Sequence, residues 1–133
     1  MRLHPVPTSL RDLLTEAGIP VPDGLGEVTV KGISSDSRKV AEGDLFIAID
    51  GLHTDARAHI PEAVAKVASA IVCEATEALP DTGDIPLVTV PNARTAVSCL
   101  YDAWYGHPAK GLRLVAVTGT NGKTTVSSIL RAI

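Results

Sequence analysis

A glycine-rich segment, residues 118–125, most constrains how this sequence can fold. It follows an apolar run at residues 112–117 that is typical of a strand, and it precedes a stretch in which Val126, Ile129 and Leu130 recur at helical spacing. A strand, a glycine-rich turn and a helix in this order are typical of an α/β fold with a phosphate-binding loop (P-loop). Backbone N–H groups in such a turn, together with the helix N-terminus, can surround phosphate oxygens. The pattern therefore predicts a nucleotide-phosphate site.

The residue types in this loop fit ATP. The predicted ATP-binding residues are Gly119, Thr120, Asn121, Gly122, Lys123, Thr124 and Thr125. We expect the Lys123 ammonium to stabilise the transferred phosphoryl group as the catalytic cation, and the Thr124 hydroxyl to bind Mg²⁺. The general pattern places a glycine five residues before Gly122, but that position is Val117, so the loop is shorter and its first glycine is Gly119. Glycine-rich turns also join strands to helices without binding phosphate, but the appended lysine and threonines favour the nucleotide site.

The composition predicts a packed globular chain rather than a disordered one. Hydrophobic residues make up 45% of the chain and charged residues 20%, which is typical of a packed core. The length of 133 residues leaves room for one small domain and part of another. The net charge of −3 predicts neither a nucleic-acid partner nor an anionic membrane surface. No apolar run approaches the roughly 20 residues of a membrane span, and the first residues lack a secretory pattern, so we expect a cytoplasmic location without membrane insertion.

Strand and helix patterns alternate along the rest of the chain. The predicted elements are a helix over residues 9–17, strands over 28–33 and 45–49, a helix over 57–68, strands over 70–73 and 87–90, and a helix that Pro91 and Asn92 open and residues 106–108 end. This alternation predicts an α/β layer with crossover connections. We expect a domain boundary near residue 90, which divides the chain into residues 1–90 and 91–133.

Two polar segments flank the apolar run at residues 45–49. They are residues 34–38, with the sequence Ser-Ser-Asp-Ser-Arg, and residues 51–55, with the sequence Gly-Leu-His-Thr-Asp. Loops at strand ends on one edge of an α/β sheet are common ligand sites, and hydroxyl groups there could read a nucleobase. The alternative is that these residues only form turns. We expect Arg38 to pair with Asp36 or to cap a turn rather than to bind a ligand directly.

These segments together resemble the Mur ligases. The similar strings are residues 32–40 and 43–49, then Gly51 and Asp55, residues 105–108, and the P-loop at 118–125. Within the family they are most similar to the ligases that add the third amino acid to the peptidoglycan precursor. The resemblance covers nearly the whole chain from about residue 28 onward, with two separate motifs in the right order.

The resemblance implies an α/β enzyme of three domains, which bind the UDP end of the substrate, ATP, and the incoming amino acid. This chain would hold the small N-terminal uridine-nucleotide-binding domain and the first helix, strand and P-loop of a truncated ATPase domain. The positions that match the family's UDP-substrate contacts are Ser35, Ser37, Leu52, His53 and Thr54. The family often has Asp-Gly where this chain has Asp55 and Ala56, and residues 52–54 match a variable stretch.

The reaction implied by the resemblance joins a diamino acid, meso-diaminopimelate or L-lysine, to UDP-MurNAc-L-Ala-D-Glu. ATP, with Mg²⁺, would convert the substrate carboxylate into an acyl phosphate, which the amino group then attacks. We expect the 133 residues alone to be inactive, since the remaining catalytic residues of the family lie beyond Ile133. Two alternatives stay open: the Mur ligase that adds the D-Ala-D-Ala dipeptide, and a non-catalytic nucleotide-binding module.

The run at residues 112–117 also bears on self-association. A central strand without neighbours has open edges. We therefore expect residues from about 109 onward to be disordered, to pack against another copy, or to be exchanged between copies.

Overall fold

The computed structural model describes residues 6–113, 115–119 and 121–132. Two short strands, β1 (Thr8–Ser9) and β2 (Thr29–Val30), form an antiparallel ribbon. The central sheet has four parallel strands in the order β3–β4–β5–β6, which are β3 (Gly32–Ser34), β4 (Asp44–Ile47), β5 (Ala70–Glu74) and β6 (Leu87–Val90). The α/β fold is therefore confirmed, with strands at residues 70–74 and 87–90 close to the predicted bounds.

Strand β4 lies inside the sheet, between β3 and β5. Its side chains alternate between two hydrophobic clusters: Leu45 and Ile47 belong to one, and Phe46 and the following Ala48 to the other. A strand covered on both faces needs apolar side chains at every position, which accounts for the uninterrupted run in the sequence. The prediction of a central, doubly covered strand is confirmed.

Helices cover both faces of the sheet. On one side, α1 (Leu10–Glu16) packs against α3 (Ala93–Trp104) and the sheet. On the other side lie a 3₁₀ turn (Ala56–His59) and α2 (Ile60–Ala65). The opening of α3 is confirmed, because the Asn92 side chain accepts a hydrogen bond from the Thr95 N–H at 2.9 Å. The boundary near residue 90 stays a prediction, although α3 shares a hydrophobic cluster with the sheet.

Two element bounds predicted from the sequence are wrong. The helix expected over residues 57–68 begins as a 3₁₀ turn, and its α-helical part, α2, ends at Ala65. The exposed Val67 adopts a left-handed conformation with φ of 59°, so the helix cannot continue to residue 68. The strand expected over residues 28–33 is interrupted at Lys31. Its first part pairs antiparallel with β1 and its second part pairs parallel with β4, so one apolar pattern serves two sheets.

The strand predicted over residues 112–117 is also absent from the described residues of that range. A strand requires a neighbouring backbone for its hydrogen bonds, and none of the described strands pairs with this run. The helix predicted after the glycine-rich loop is confirmed as α4 (Lys123–Ala132). Its residues Val126, Ile129 and Leu130 are 45%, 57% and 43% exposed. Disorder, packing on another copy or exchange of this segment stays a prediction.

Candidate functional site

The candidate site is a cavity at the edge of the sheet where β3 and β4 end. Because the strands are parallel, the segments that follow both of them meet at this edge. The cavity has a volume of about 570 Å³. Its lining residues are Ser35, Asp36, Ser37, Arg38, Phe46, Ile49, Ala56, His59 and Glu62. The structure thus brings together two of the predicted substrate-binding residues, Ser35 and Ser37.

The first wall of the cavity is a tight turn after β3. The buried Ser34 hydroxyl donates to the Asp36 carbonyl oxygen at 2.9 Å and accepts from the Asp36 N–H at 3.2 Å. The Asp36 carboxylate accepts from the Arg38 N–H at 3.0 Å and from Nε and Nη2 of Arg38 at 2.9 Å each. These bonds from Arg38 lower the pKa of Asp36 to about 2. The expected pairing of Arg38 with Asp36 is confirmed.

Ser37 begins a 3₁₀ turn (Ser37–Lys39) and is buried. Its hydroxyl donates to Oε2 of Glu62 at 2.6 Å. The Lys66 ammonium donates to the carbonyl oxygens of Ser37 and Arg38, at 2.8 Å each, and lies 3.2 Å from Oε1 of Glu62. Glu62 in α2 and Lys66 directly after it therefore fix this turn. Sequence analysis missed both, although their spacing of four residues in a helix was a usable signal.

The second predicted segment lies outside the cavity lining. Leu52 is 91% exposed, and His53 and Thr54 are also exposed. The Gly51 N–H donates to the Thr54 carbonyl oxygen at 3.0 Å, so residues 51–54 form a closed turn. The roles predicted for residues 52–54 in substrate binding stay predictions.

The chain on either side of that turn does reach the cavity. Ile49 precedes the turn, and Ala56 and His59 follow it. The Asp50 carboxylate accepts from the Ala56 N–H at 2.8 Å, which holds the two sides together. Sequence analysis gave His59 no role, because a single histidine in an otherwise unremarkable turn carries no spacing signal.

The glycine-rich loop has the backbone geometry that its sequence predicts. Gly119 and Gly122 have φ values of 139° and 78°, which side chains other than glycine rarely adopt. Lys123 and Thr124 begin α4 and line an open cavity of about 330 Å³ together with Ser128 and Arg131. The other predicted ATP-binding residues Asn121 and Thr125 are exposed, and Thr120 lies outside the described residues.

This second cavity suits a polyphosphate better than an isolated metal ion. Lys123 supplies a cationic group at the N-terminus of α4, the usual environment for phosphate oxygens, and Arg131 supplies a second one in the last turn of the helix. Thr124 supplies one hydroxyl ligand for Mg²⁺, and no cluster of three His, Cys, Asp or Glu side chains that could hold a metal occurs in the described part of the chain. Mg²⁺ usually binds one or two protein oxygens together with substrate phosphates, so Thr124 fits such a shared site.

A parallel sheet with a polar cavity at its carboxyl edge, followed by a glycine-rich loop and helix, is the architecture of a nucleotide-binding α/β protein. The family described as "Mur ligase family, catalytic domain" matches residues 29–105, more than half of the chain. The chain therefore belongs to the Mur ligase family, whose members are ATP-dependent ligases. The matched residues include the whole lining of the 570 Å³ cavity and end before the glycine-rich loop.

Individual relatives agree with this assignment. A UDP-N-acetylmuramoyl-L-alanyl-D-glutamate–2,6-diaminopimelate ligase from Parabacteroides distasonis is 41% identical over 121 residues, which cover 91% of this chain and 25% of that protein. The chain thus spans about a quarter of that relative's length.

Two solved structures share the fold. A UDP-N-acetylmuramoylalanyl-D-glutamyl-2,6-diaminopimelate–D-alanyl-D-alanyl ligase from Acinetobacter baumannii aligns with a TM-score of 0.63 and 26% identity, over 98% of this chain and 30% of that one. A MurF ligase from Thermotoga maritima in complex with ADP aligns with a TM-score of 0.51 and 28% identity, over 74% of this chain and 22% of that one. None of the helices in the described part of the chain has the length and hydropathy of a membrane span.

Proposed function

We propose that this chain carries the uridine-nucleotide site and the P-loop of a MurE-type ligase. Such an enzyme adds a diamino acid, meso-diaminopimelate or L-lysine, to UDP-MurNAc-L-Ala-D-Glu during peptidoglycan synthesis. The 41% identity to a diaminopimelate-adding ligase over 91% of the chain supports this proposal. A cytoplasmic location stays a prediction.

The cavity formed after β3 and β4 is the observation that carries the proposal. Its volume of about 570 Å³ lies within the usual range for small-molecule sites. Phe46 and Ile49 give it an apolar surface against which a flat base can pack, and Ser35 and Ser37 give it hydroxyl groups. Apolar area with a few fixed polar groups is the usual composition of a nucleoside pocket. The uridine end of the substrate is proposed to bind here.

The P-loop residues are proposed to bind ATP with Mg²⁺. Backbone N–H groups of residues 119–123 would contact phosphate oxygens, Lys123 would neutralise charge on the transferred phosphoryl group, and Thr124 would bind the metal. The ion would supply further neutralisation of phosphate charge. ATP would phosphorylate the substrate carboxylate with release of ADP, and the amino group of the diamino acid would then attack the acyl phosphate carbon, forming the peptide bond as phosphate leaves. The residues named here act by position and charge.

An amide NMR titration of the 133-residue chain tests both sites. UDP is expected to shift the amide signals of residues 35–38 and of the neighbouring turn at 52–54, while Mg-ATP is expected to shift those of 119–125. Cytidine diphosphate, which has the same ribose and phosphates, serves as the control ligand and should bind more weakly. The Ser35→Ala variant should weaken UDP binding, whereas Ser98→Ala, on the exposed side of α3, should not. A folded chain that does not respond to UDP would contradict the uridine site.

The second candidate is the ligase that adds the D-Ala-D-Ala dipeptide. It is favoured by the Acinetobacter baumannii structure, which aligns over 98% of this chain, but the identity of 26% is well below the 41% of the diaminopimelate-adding relative. A ligation assay of the protein that contains this chain separates the two candidates. Transfer of a diamino acid to the UDP-linked dipeptide supports the proposal, and transfer of D-Ala-D-Ala to the UDP-linked tripeptide contradicts it.

A further inference from the structure

The side chains of Glu62 in α2 and of Lys66, the residue that follows this helix, contact the turn that lines the proposed uridine site. We propose that Glu62 and Lys66 are positioning residues of this site, and that they present Oγ of Ser37 to the nucleoside as a hydrogen-bond acceptor. This inference rests on the proposed function of the cavity. It concerns which ligand groups Ser37 can meet and what keeps Ser37 in place.

The direction of one hydrogen bond sets the role of Ser37. Oγ of Ser37 lies 2.6 Å from Oε2 of Glu62, and hydrogen bonds from Ser37 and Lys66 hold the pKa of Glu62 below its usual range. An ionised carboxylate can only accept, so the Ser37 proton must point towards Glu62. The lone pairs that remain on Oγ can accept a bond but not donate one.

This polarity selects particular ligand groups. A phosphate oxygen or a uracil carbonyl group has no proton to donate, so it gains nothing from a hydroxyl oxygen that can only accept. The uracil N3–H and the ribose hydroxyls are donors. Ser37 is therefore expected to meet a donor group of the nucleoside, which places the base and ribose, rather than the phosphates, beside it.

Lys66 fixes the backbone of the same turn. An ammonium group has three N–H donors, and here its partners are the carbonyl oxygens of Ser37 and Arg38 and Oε1 of Glu62, at 2.8, 2.8 and 3.2 Å. The ammonium thus ties the first two residues of the 3₁₀ turn to α2, 28 residues further along the chain. Lys39, the last residue of the turn, is exposed and provides a matched lysine of equal charge.

The first test compares two lysine substitutions by calorimetric titration of the full chain with UDP. Lys66→Met is expected to weaken UDP binding about tenfold, because the turn that carries Ser37 loses its charged hydrogen bonds to Lys66, while Lys39→Met stays close to the unmodified chain. Lys66→Arg is expected to restore most of the affinity, because a guanidinium group can also donate to two carbonyl oxygens. Thermal unfolding of each variant shows that the fold is kept. Equal UDP affinities of Lys66→Met and Lys39→Met would overturn the inference.

The second test uses ligands that each lack one donor: N3-methyl-UDP, 2′-deoxy-UDP and 3′-deoxy-UDP. The unmodified chain is expected to bind one of them about tenfold more weakly than UDP, and Glu62→Met is expected to discriminate less, because its Ser37 hydroxyl can then rotate and donate. Affinities that are equal for UDP and all three analogues would overturn the inference while leaving the uridine site intact. A chain that binds no UDP at all would overturn the proposed function and the inference with it.

Discussion

The sheet region, residues 6–105, and the tail, the described residues from 112 to 132, carry similar apolar patterns with opposite outcomes. In the sheet region, the apolar side chains of β4 are buried between α1 and α3 on one face and α2 on the other. In the tail, Leu112, Val115 and the apolar residues of α4 are exposed. A run of apolar residues therefore becomes a strand only where neighbouring strands and another layer are present, whereas α4, which makes its backbone hydrogen bonds internally, forms with its apolar residues exposed.

The two candidate sites differ in how firmly their polar groups are held by neighbouring side chains. Around the proposed uridine cavity, the polar side chains hold one another in place, through the pairs Asp36–Arg38 and Glu62–Lys66. In the glycine-rich loop, Gly119 and Gly122 shape the backbone, while Lys123 is exposed. Preorganised groups lose less freedom when a ligand binds. We therefore expect the sheet region to bind its nucleotide with little rearrangement and the tail to become ordered around its own.

The largest effect is expected from a matched pair of core and tail substitutions. Leu100 is fully buried between α3 and the sheet, so Leu100→Ala should lower the free energy of unfolding by about 3 kcal/mol. Ile129→Ala should change it by less than about 0.5 kcal/mol, because that side chain is exposed. Urea denaturation followed by circular dichroism measures both. A large loss from Ile129→Ala would show that the tail packs, in solution, against this chain or another copy.

The next effect separates the two ligand sites. Lys123→Ala should weaken Mg-ATP binding by at least about tenfold, since it removes a charged donor to phosphate, and should leave UDP affinity unchanged. Lys110→Ala, an exposed lysine of the 3₁₀ turn Pro108–Gly111, is the control for loss of charge. Calorimetric titration with each nucleotide gives both affinities. Weaker UDP binding by Lys123→Ala would mean that the two sites are coupled.

These differences also explain how much the sequence could predict. The continuous run at β4 and the Asn92 cap of α3 were predicted correctly, because periodicity and capping are local properties. The strand at residues 112–117 was predicted wrongly, because strand formation depends on partners that a local pattern cannot show. Ser35 and Ser37, on one wall of the cavity, were named in advance through the resemblance to the Mur ligases, since their residue types alone are also typical of a turn.

The opposite wall of the cavity could not be predicted. Glu62 and Lys66 lie 25 and 28 or more residues along the chain from the groups that they bind, so their role depends on how α2 packs on the sheet. The end of α2 was missed for a related reason, since the left-handed conformation of Val67 has no signal in its residue type. The local patterns of this sequence therefore could not predict its long-range hydrogen bonds or its unusual backbone conformations.

A smaller effect is expected from two asparagines that precede helices. Asn92 caps α3 through its bond to the Thr95 N–H, so Asn92→Ala should lower the free energy of unfolding by about 1 kcal/mol. Asn121, which lies two residues before α4, is exposed, and Asn121→Ala should leave the stability unchanged. Thermal and urea unfolding measure both changes. Equal losses from the two variants would mean that α4 unfolds together with the sheet region, against the distinction drawn above.

The smallest effect is the loss of the Asp36–Arg38 pair at low pH. The pKa of Asp36 is lowered to about 2 by Arg38, so the pair stabilises the folded chain above the ordinary carboxyl pKa of about 3.9, and this stabilisation is lost as the pH falls through about 2. Amide signals of residues 34–39 should therefore shift at the acid end of a pH titration followed by NMR. Asp36→Asn removes the titrating group and should abolish this step, while other acid steps remain because Asp55 and Glu62 also have lowered pKa values.

The tail provides the internal control for this titration. Residues 112–133 contain no aspartate or glutamate, so within the tail of the 133-residue chain the terminal carboxyl group of Ile133 is the group that titrates in this range. The amide signals of residues 115–119, which are distant in sequence from that group, should stay constant while those of residues 34–39 move. If signals of residues 115–132 shift with the midpoint of Asp36 and this shift disappears in Asp36→Asn, the tail must contact the proposed uridine cavity. The sheet region and the tail would then form one coupled site rather than two independent ones.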